Sequence, residues 1–271
     1  MIKVEKKFEI RYDLAMQKLL SYRDLFWQLT FREIKARYKQ SVLGYAWAIL
    51  VPLLNLLVLS IVFSRVFKVP TGGVPYPIFL FVALVPWLFL TNSISAATSS
   101  IMANSSLITK VKLPREIIPI SAICSKLVDL FLTTLVLIIF MIFFGISFQI
   151  SLFWVPLIFV VQFILILGIS LILSATNVFF RDIENVLGVF LTIWMYLTPV
   201  LYSAALIPEN IAPLFYLNPM TGIINSYRDT IIYGNFNSWP SFIYSGVFSI
   251  SLLVLGLIYF RKRQLYFADT L

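Results

Sequence analysis

Residues 31–50, FREIKARYKQSVLGYAWAIL, mark the place where this chain changes solvent. Up to Lys39 the segment is basic and amphipathic; from Ser41 no charged residue occurs until Arg65, a run long enough to cross a bilayer. A chain of 271 residues with 60% hydrophobic and 12% charged residues has too few charges to clothe a soluble surface. The composition therefore predicts an all-α polytopic membrane protein.

A formal charge of +9 raises nucleic acid as a partner, but the basic residues fall in short segments beside the apolar runs, where they orient spans rather than bind phosphate backbones. Cys124 is the single cysteine and histidine is absent. An intramolecular disulfide is thus impossible. Zinc chemistry and Ser-His or Cys-His catalysis lose their usual groups, so the sequence predicts no metal site and no catalytic residue on this chain.

Residues 1–39 hold ten Lys or Arg against five acids and contain no cleavable signal pattern. At 3.6 residues per turn, Trp27, Phe31, Ile34 and Tyr38 form one stripe, and Gln28, Arg32, Lys35 and Lys39 form another beside it. Leu25, Leu29 and Ala36 lie across the basic ridge, as on a helix touching lipid and protein at once. A surface anchor and a docking element for a partner both fit.

Six spans are predicted, over residues 43–63, a segment beginning near 79, 117–144, 152–180, 186–200 and 242–260. In the second, ten of the sixteen residues 91–106 are Ser, Thr or Asn, which fits either close helix packing or a wet conduit. Lys126 and Asp129 in the third lie three residues apart and are expected to pair on one helical face, as a functional couple or a snorkelling one. Residues 202–233, apolar but broken by Pro208, Pro213 and Pro219, read as short helices that dip into the membrane and return, or as a structured loop. Eighteen of the 21 Lys and Arg residues fall on one side of this layout, so both termini are expected in the cytoplasm. The chain divides into an interface segment (1–40), a six-span domain (41–260) and a basic tail (261–271).

No phosphate-binding GxxxxGK[ST] loop is present, and Asp182 with Glu184 is the closest acidic pair. A six-span chain with basic elbows and no motor reads as a conduit driven by another subunit. An autonomous secondary transporter using Lys126 and Asp129, and a membrane enzyme acting on lipid-linked glycans, are the alternatives.

Five motifs occur in order along the chain: Arg37-Tyr-Lys-Gln-Ser-Val-Leu-Gly-Tyr-Ala-Trp47, Lys112-Leu-Pro-Arg115, Phe180-Arg-Asp182, Thr198-Pro-Val200 and Leu217-Asn-Pro219. In these the chain resembles the permease subunits of bacterial ATP-binding-cassette polysaccharide exporters, which carry O-antigen, teichoic acid or capsule. The resemblance implies a homodimer joined to two separate ATPase subunits, which hold the ATP and Mg, in the bacterial cytoplasmic membrane. Its substrate would be a lipid-linked glycan. Phe31, Arg32, Lys35, Lys110, Lys112, Arg115, Glu116, Arg181, Asp182 and Glu184 would then couple to the ATPase, and the segment after the fifth span would form re-entrant helices. Aromatic and small polar residues suit a path for sugar: Tyr38, Tyr45, Trp87, Trp194 and Tyr196, with Asn92, Ser99 and Ser100.

Overall fold

Five of the apolar runs become helical segments long and apolar enough to cross a membrane: Gly44–Val66, Tyr76–Ala103, Ile117–Phe143, Ile150–Asn177 and Trp239–Tyr266. The computed structural model describes residues 22–39, 44–110 and 113–270, and every element among them is helical. The side chains of Tyr38, Ala268 and Asp269 lie outside that description, as do Lys112 and the first 21 residues of the predicted interface segment.

Helix α1 (Arg23–Tyr38) shows how its mixed face is used. Leu29 and Thr30 are buried, Leu25 and Phe26 pack beside them, and Trp27 and Phe31 remain about half exposed. The helix thus docks on protein through Leu25, Phe26 and Leu29 and turns Trp27 and Phe31 outward. After the 3-10 turn Gly44–Ala46, α2 (Trp47–Ile61) runs into a π turn, Val62–Val66. Leu54, Leu57, Val58 and Ile61 are more than half exposed, so α2 turns an apolar face away from the core of this chain.

Helix α3 (Tyr76–Ala103), 28 residues with Pro75 before it and Pro77 in its first turn, is the axis of the molecule. Nearly every side chain from Tyr76 to Leu90 is buried, and α2, α5, α6, α7, α8 and α10 pack around it. The short α4 (Ser105–Lys110) leads to an elbow, followed by α5 (Ile117–Ser125) and α6 (Leu127–Phe143), which are separated by one turn at Lys126. After the 3-10 turn Ile150–Trp154 comes α7 (Val155–Asn177).

Helix α8 (Asp182–Tyr196) differs from expectation at both ends. It begins inside the predicted elbow, with Asp182 and Glu184 in its first turn, and stops four residues before the predicted end. At 15 residues it is about 22 Å long, shorter than the ~30 Å hydrocarbon core. The Thr198-Pro199 pair ends it, because proline cannot continue the hydrogen-bond ladder. Two short helices follow, α9 (Ala212–Tyr216) and α10 (Pro219–Arg228), the latter extended by a π turn, Asp229–Tyr233. Helix α11 (Trp239–Arg263) runs into a 3-10 turn, Gln264–Tyr266, and a last helical turn, α12 (Phe267–Thr270).

Small residues set the tightest contacts, as they do where helices associate without a hydrophobic gradient between them. A Cβ built on Gly256 of α11 would lie 2.6 Å from the Gly168 carbonyl oxygen of α7, and one on Gly222 of α10 would lie 2.4 Å from the Ser241 carbonyl oxygen of α11. The backbones of α7, α10 and α11 are therefore in near contact. Two apolar cores result. The larger surrounds α3, and the smaller, with Leu29, Ile108, Ile118, Leu171, Phe260 and Phe267, lies at the end where α1, the elbow and the tail meet.

Candidate functional site

The smaller core gathers the basic segments of the sequence at one end of the bundle. Glu116, at the start of α5, is ion-paired with Arg261 of α11 at 3.3 Å. Its neighbour Arg115 donates to the Gln264 carbonyl and lies 5.7 Å from the centre of the Phe267 ring. Phe267 is fully buried, packed edge-on to Phe260 and near Phe179. Arg263 covers Phe179 and Tyr259 at 5.4 and 5.5 Å. The tail thus clasps the 113–116 elbow and borders the 179–184 elbow.

Among the described residues, two polar contacts tie helix α1 to the bundle besides Leu29. Arg32 donates to Asn104, which ends α3 and whose own amide holds the Ser100 carbonyl at 2.8 Å. Arg37 is ion-paired with Asp129 of α6. Beyond these ties α1 presents an open basic groove of about 640 Å³ with Phe31, Arg32, Lys35 and Lys39 on its walls. Lys110, Arg181, Asp182 and Glu184 are exposed. The structure thus brings Phe31, Arg32, Lys35, Arg115 and Glu116 to one end, with the 181–184 elbow beside the tail.

The pairing expected of Lys126 and Asp129 gives way to a different one. Asp129 takes Arg37 of α1 as its ion-pair partner, although Lys126 and Asp129 keep helical spacing, with the Leu130 amide donating to the Lys126 carbonyl at 3.0 Å. Both still line one cleft of about 330 Å³, together with Arg37 and Asn92.

The proposed conduit residues separate by burial. Tyr45 and Tyr196 are more than half exposed. Trp87 lies in the large core, edge-on to Trp194 at 5.7 Å, and Ser100 is buried and bonded to the Ala97 carbonyl at 2.7 Å. Ser99 bonds back to Ser95 and Ala96, the usual habit of a serine inside a helix. Much of the polar stretch of α3 serves close packing: Ser93 and Thr98 are fully buried, and the Thr98 carbonyl accepts from Asn177 of α7 at 3.2 Å.

Sequence reasoning missed the polar lock at the opposite end. Asn218 accepts from Trp194 Nε1 and from the Met220 amide, both at 3.0 Å, and donates to Thr198 Oγ1 at 2.8 Å and to the Leu197 carbonyl at 3.3 Å. One side chain caps α10 and ties it to the end of α8. The signal was present: asparagine directly before proline at a helix start is an N-cap pattern. Arg228 is 3% exposed and donates to the carbonyls of Pro199, Val200 and Tyr202 at 2.5, 2.7 and 3.1 Å, with its guanidinium 3.8 Å from the Phe79 ring centre. Nothing in its sequence context distinguished it from a solvated loop charge. Gln162, also fully buried, links the Pro86 carbonyl of α3 to the Tyr227 hydroxyl of α10.

Residues 24–232 match the family model described as ABC-2 type transporter. The chain is 34% identical over 250 residues to an O-antigen export system permease protein RfbA of Klebsiella pneumoniae, covering 92% of this chain and 95% of the relative. It is 30% identical over 261 residues to the RfbA permease of Myxococcus xanthus, covering 94% and 98%. With the polysialic acid transport protein KpsM of Escherichia coli it shares 26% identity over 246 residues, covering 87% and 92%. Near full-length similarity of this kind, joined to helices that can span a membrane, establishes that the chain belongs to the ABC-2 type transporter membrane family.

Proposed function

We propose that this chain is the membrane-spanning permease subunit of an ATP-driven exporter that moves lipid-linked polysaccharide across the bacterial cytoplasmic membrane. The observation that carries the reading is similarity over more than nine-tenths of the chain to permeases named for O-antigen export. It also weighs against an autonomous ion-coupled transporter built on Lys126 and Asp129. ATP and Mg reside on a partner ATPase, and the chain itself is a transport subunit rather than an enzyme.

In this reading the basic end faces the cytoplasm, with both termini there, following the charge asymmetry of the segments. Helix α8 is the fifth of six crossings, and α9 with α10 dips in from the outer face. Two copies join two ATPase subunits. The exposed basic groove of α1 and the two elbows are the docking surface, where charge selects a partner and guides its approach. Tyr45 and Tyr196, exposed on this chain, are the aromatic candidates for the sugar path. Force on α1 reaches α3 through Arg32 and Asn104, and α6 through Arg37 and Asp129. ATP binding biases the conduit only insofar as the ATPase dimer binds its open and closed forms unequally.

The test is purification from the native membrane in mild detergent followed by intact-complex mass determination. Two permeases with two nucleotide-binding subunits are expected. A chain that emerges without an ATPase, under conditions that preserve other membrane complexes, overturns the reading.

A further inference from the structure

The cleft beside Lys126 is built like a receptor for an amphiphile. At its charged end stand Arg37, Lys126, Asp129 and Asn92, and below them the walls are apolar, formed by Val51, Pro52, Val85, Leu88 and Leu130. Lys126 and Thr133, at the far end, lie seven helical positions apart, about 10 Å along the axis. Trp47 and Val51 on the α2 rim are 45% and 46% exposed, so the cleft borders the exposed apolar face of α2.

We infer that this cleft binds an anionic phospholipid of the inner leaflet, with the phosphodiester between Lys126 and Arg37 and the first methylenes of a chain against Val51 and Leu130. The inference rests on the cytoplasmic placement of the basic end in the proposed function, not on the transport role itself. Among the described residues no carboxylate lies within ion-pairing distance of the Lys126 ammonium, and Asp129 is ion-paired with Arg37. Glu33, whose charge also reaches Lys126, is paired with Arg32 at 3.2 Å and does not line the cleft. Among the described lining residues, two cations against one carboxylate leave a single positive charge, which a monoanionic phosphodiester balances and a diphosphate would overshoot. A volume of about 330 Å³ suits a phosphate with a short stretch of chain. Asn92 supplies a neutral donor for a phosphate oxygen, and Trp47 sits where an aromatic ring anchors a helix at the headgroup level.

The experiment is native mass spectrometry of the full chain in mild detergent, titrated with phosphatidylglycerol or phosphatidylcholine of matched acyl chains. Preferential retention of phosphatidylglycerol is expected. Lys126→Gln should lower that preference about fivefold, as loss of one basic residue near an anionic surface does. Lys262→Gln in the exposed tail should leave it unchanged. Equal retention of the two lipids, or equal preference in wild type and Lys126→Gln, overturns the proposal. Should Lys126→Gln fail to assemble, Leu130→Phe keeps both cations and fills the apolar part; undiminished phosphatidylglycerol retention in that variant overturns the proposal as well. Displacement of the lipid by millimolar inorganic phosphate would assign the site to the free anion instead and overturn the lipid assignment.

Discussion

The two ends of the bundle hold their charges in opposite ways. At the basic end, ion pairs join separate elements at the surface: Arg37 to Asp129 with side chains 44% and 14% exposed, and Arg261 to Glu116 with 57% and 15%. At the far end a single arginine, Arg228, is buried with no carboxylate among the hydrogen-bond partners described for it; its two terminal nitrogens donate to three backbone carbonyls where α8 ends, and its Nε has no partner among the described residues. Exposed pairs are each worth about 0–1 kcal/mol and weaken with salt. A buried charge that satisfies several carbonyls is costly to disturb in any direction. One end is therefore assembled from contacts that a docking partner can remake, and the other from contacts that fix the geometry against which such remaking acts.

The contrast breaks first at Arg228. Arg228→Met leaves the carbonyls of Pro199, Val200 and Tyr202 without their donor, and a loss of about 3 kcal/mol or more is expected, read as a fall in the thermal unfolding midpoint of the detergent-solubilised protein. Arg228→Lys should recover little, because an ammonium lacks the planar fork that spans three acceptors. Full recovery with lysine would mean that point charge suffices and that the end of α8 is less rigid than the contacts imply.

Asn218→Ala comes next. It removes a helix cap together with the link to Trp194 and Thr198, and about 2 kcal/mol is expected. Asn218→Asp keeps the acceptor for Trp194 and Met220 but loses both donated bonds, so it should fall between alanine and wild type. If aspartate matches wild type, the tie to α8 carries nothing and only the cap matters.

A pair of glycines sharpens the same point with one chemical change. Gly222→Ala would drive a methyl against the Ser241 backbone, and about 1–3 kcal/mol of destabilisation is expected from overpacking. Gly188→Ala, in the middle of α8 with nothing within 4 Å of the added carbon, should stabilise by up to about 1 kcal/mol. Equal effects at the two sites would deny that α10 and α11 are locked together while α8 is loosely covered.

What could be read from the sequence follows from the reach of each signal. Long apolar runs bounded by charge give membrane-length helices by local physics, so α2, α3, α7 and α11 were legible, as was the break at residues 202–233. The α8 segment was displaced because its start depends on an elbow whose acids enter the first helical turn, where the helix dipole favours them. At the basic end, composition showed that charges gather but not which of them pair. Asp129 had a local candidate in Lys126 and a distant one in Arg37, and only the fold brings the distant one close. Arg228 was illegible for the same reason, since its partners are backbone carbonyls some thirty residues upstream.

The smallest effect on stability is expected where the largest effect on function is. Asp129→Asn removes the charge that holds Arg37, and with Arg37 nearly half exposed the cost should be about 0–1 kcal/mol and vanish at high salt. Helix α1 would then remain docked through Leu29 and the Arg32–Asn104 contact, but its described ion pair to α6 would be gone. Where α1 carries the force of the ATPase, the complex should hydrolyse ATP at an undiminished rate while export falls, measured side by side in reconstituted vesicles. Glu116→Gln, which cuts the tail from the elbow by the same kind of pair, is the control for position: both variants uncoupling equally would make the whole basic end one transmission element. Uncoupling by Asp129→Asn alone would confine that element to α1 and α6. A drop in thermal stability as large as that of Arg228→Met would erase the distinction between the two ends, since the pair would then be part of a rigid frame rather than a contact poised to be remade.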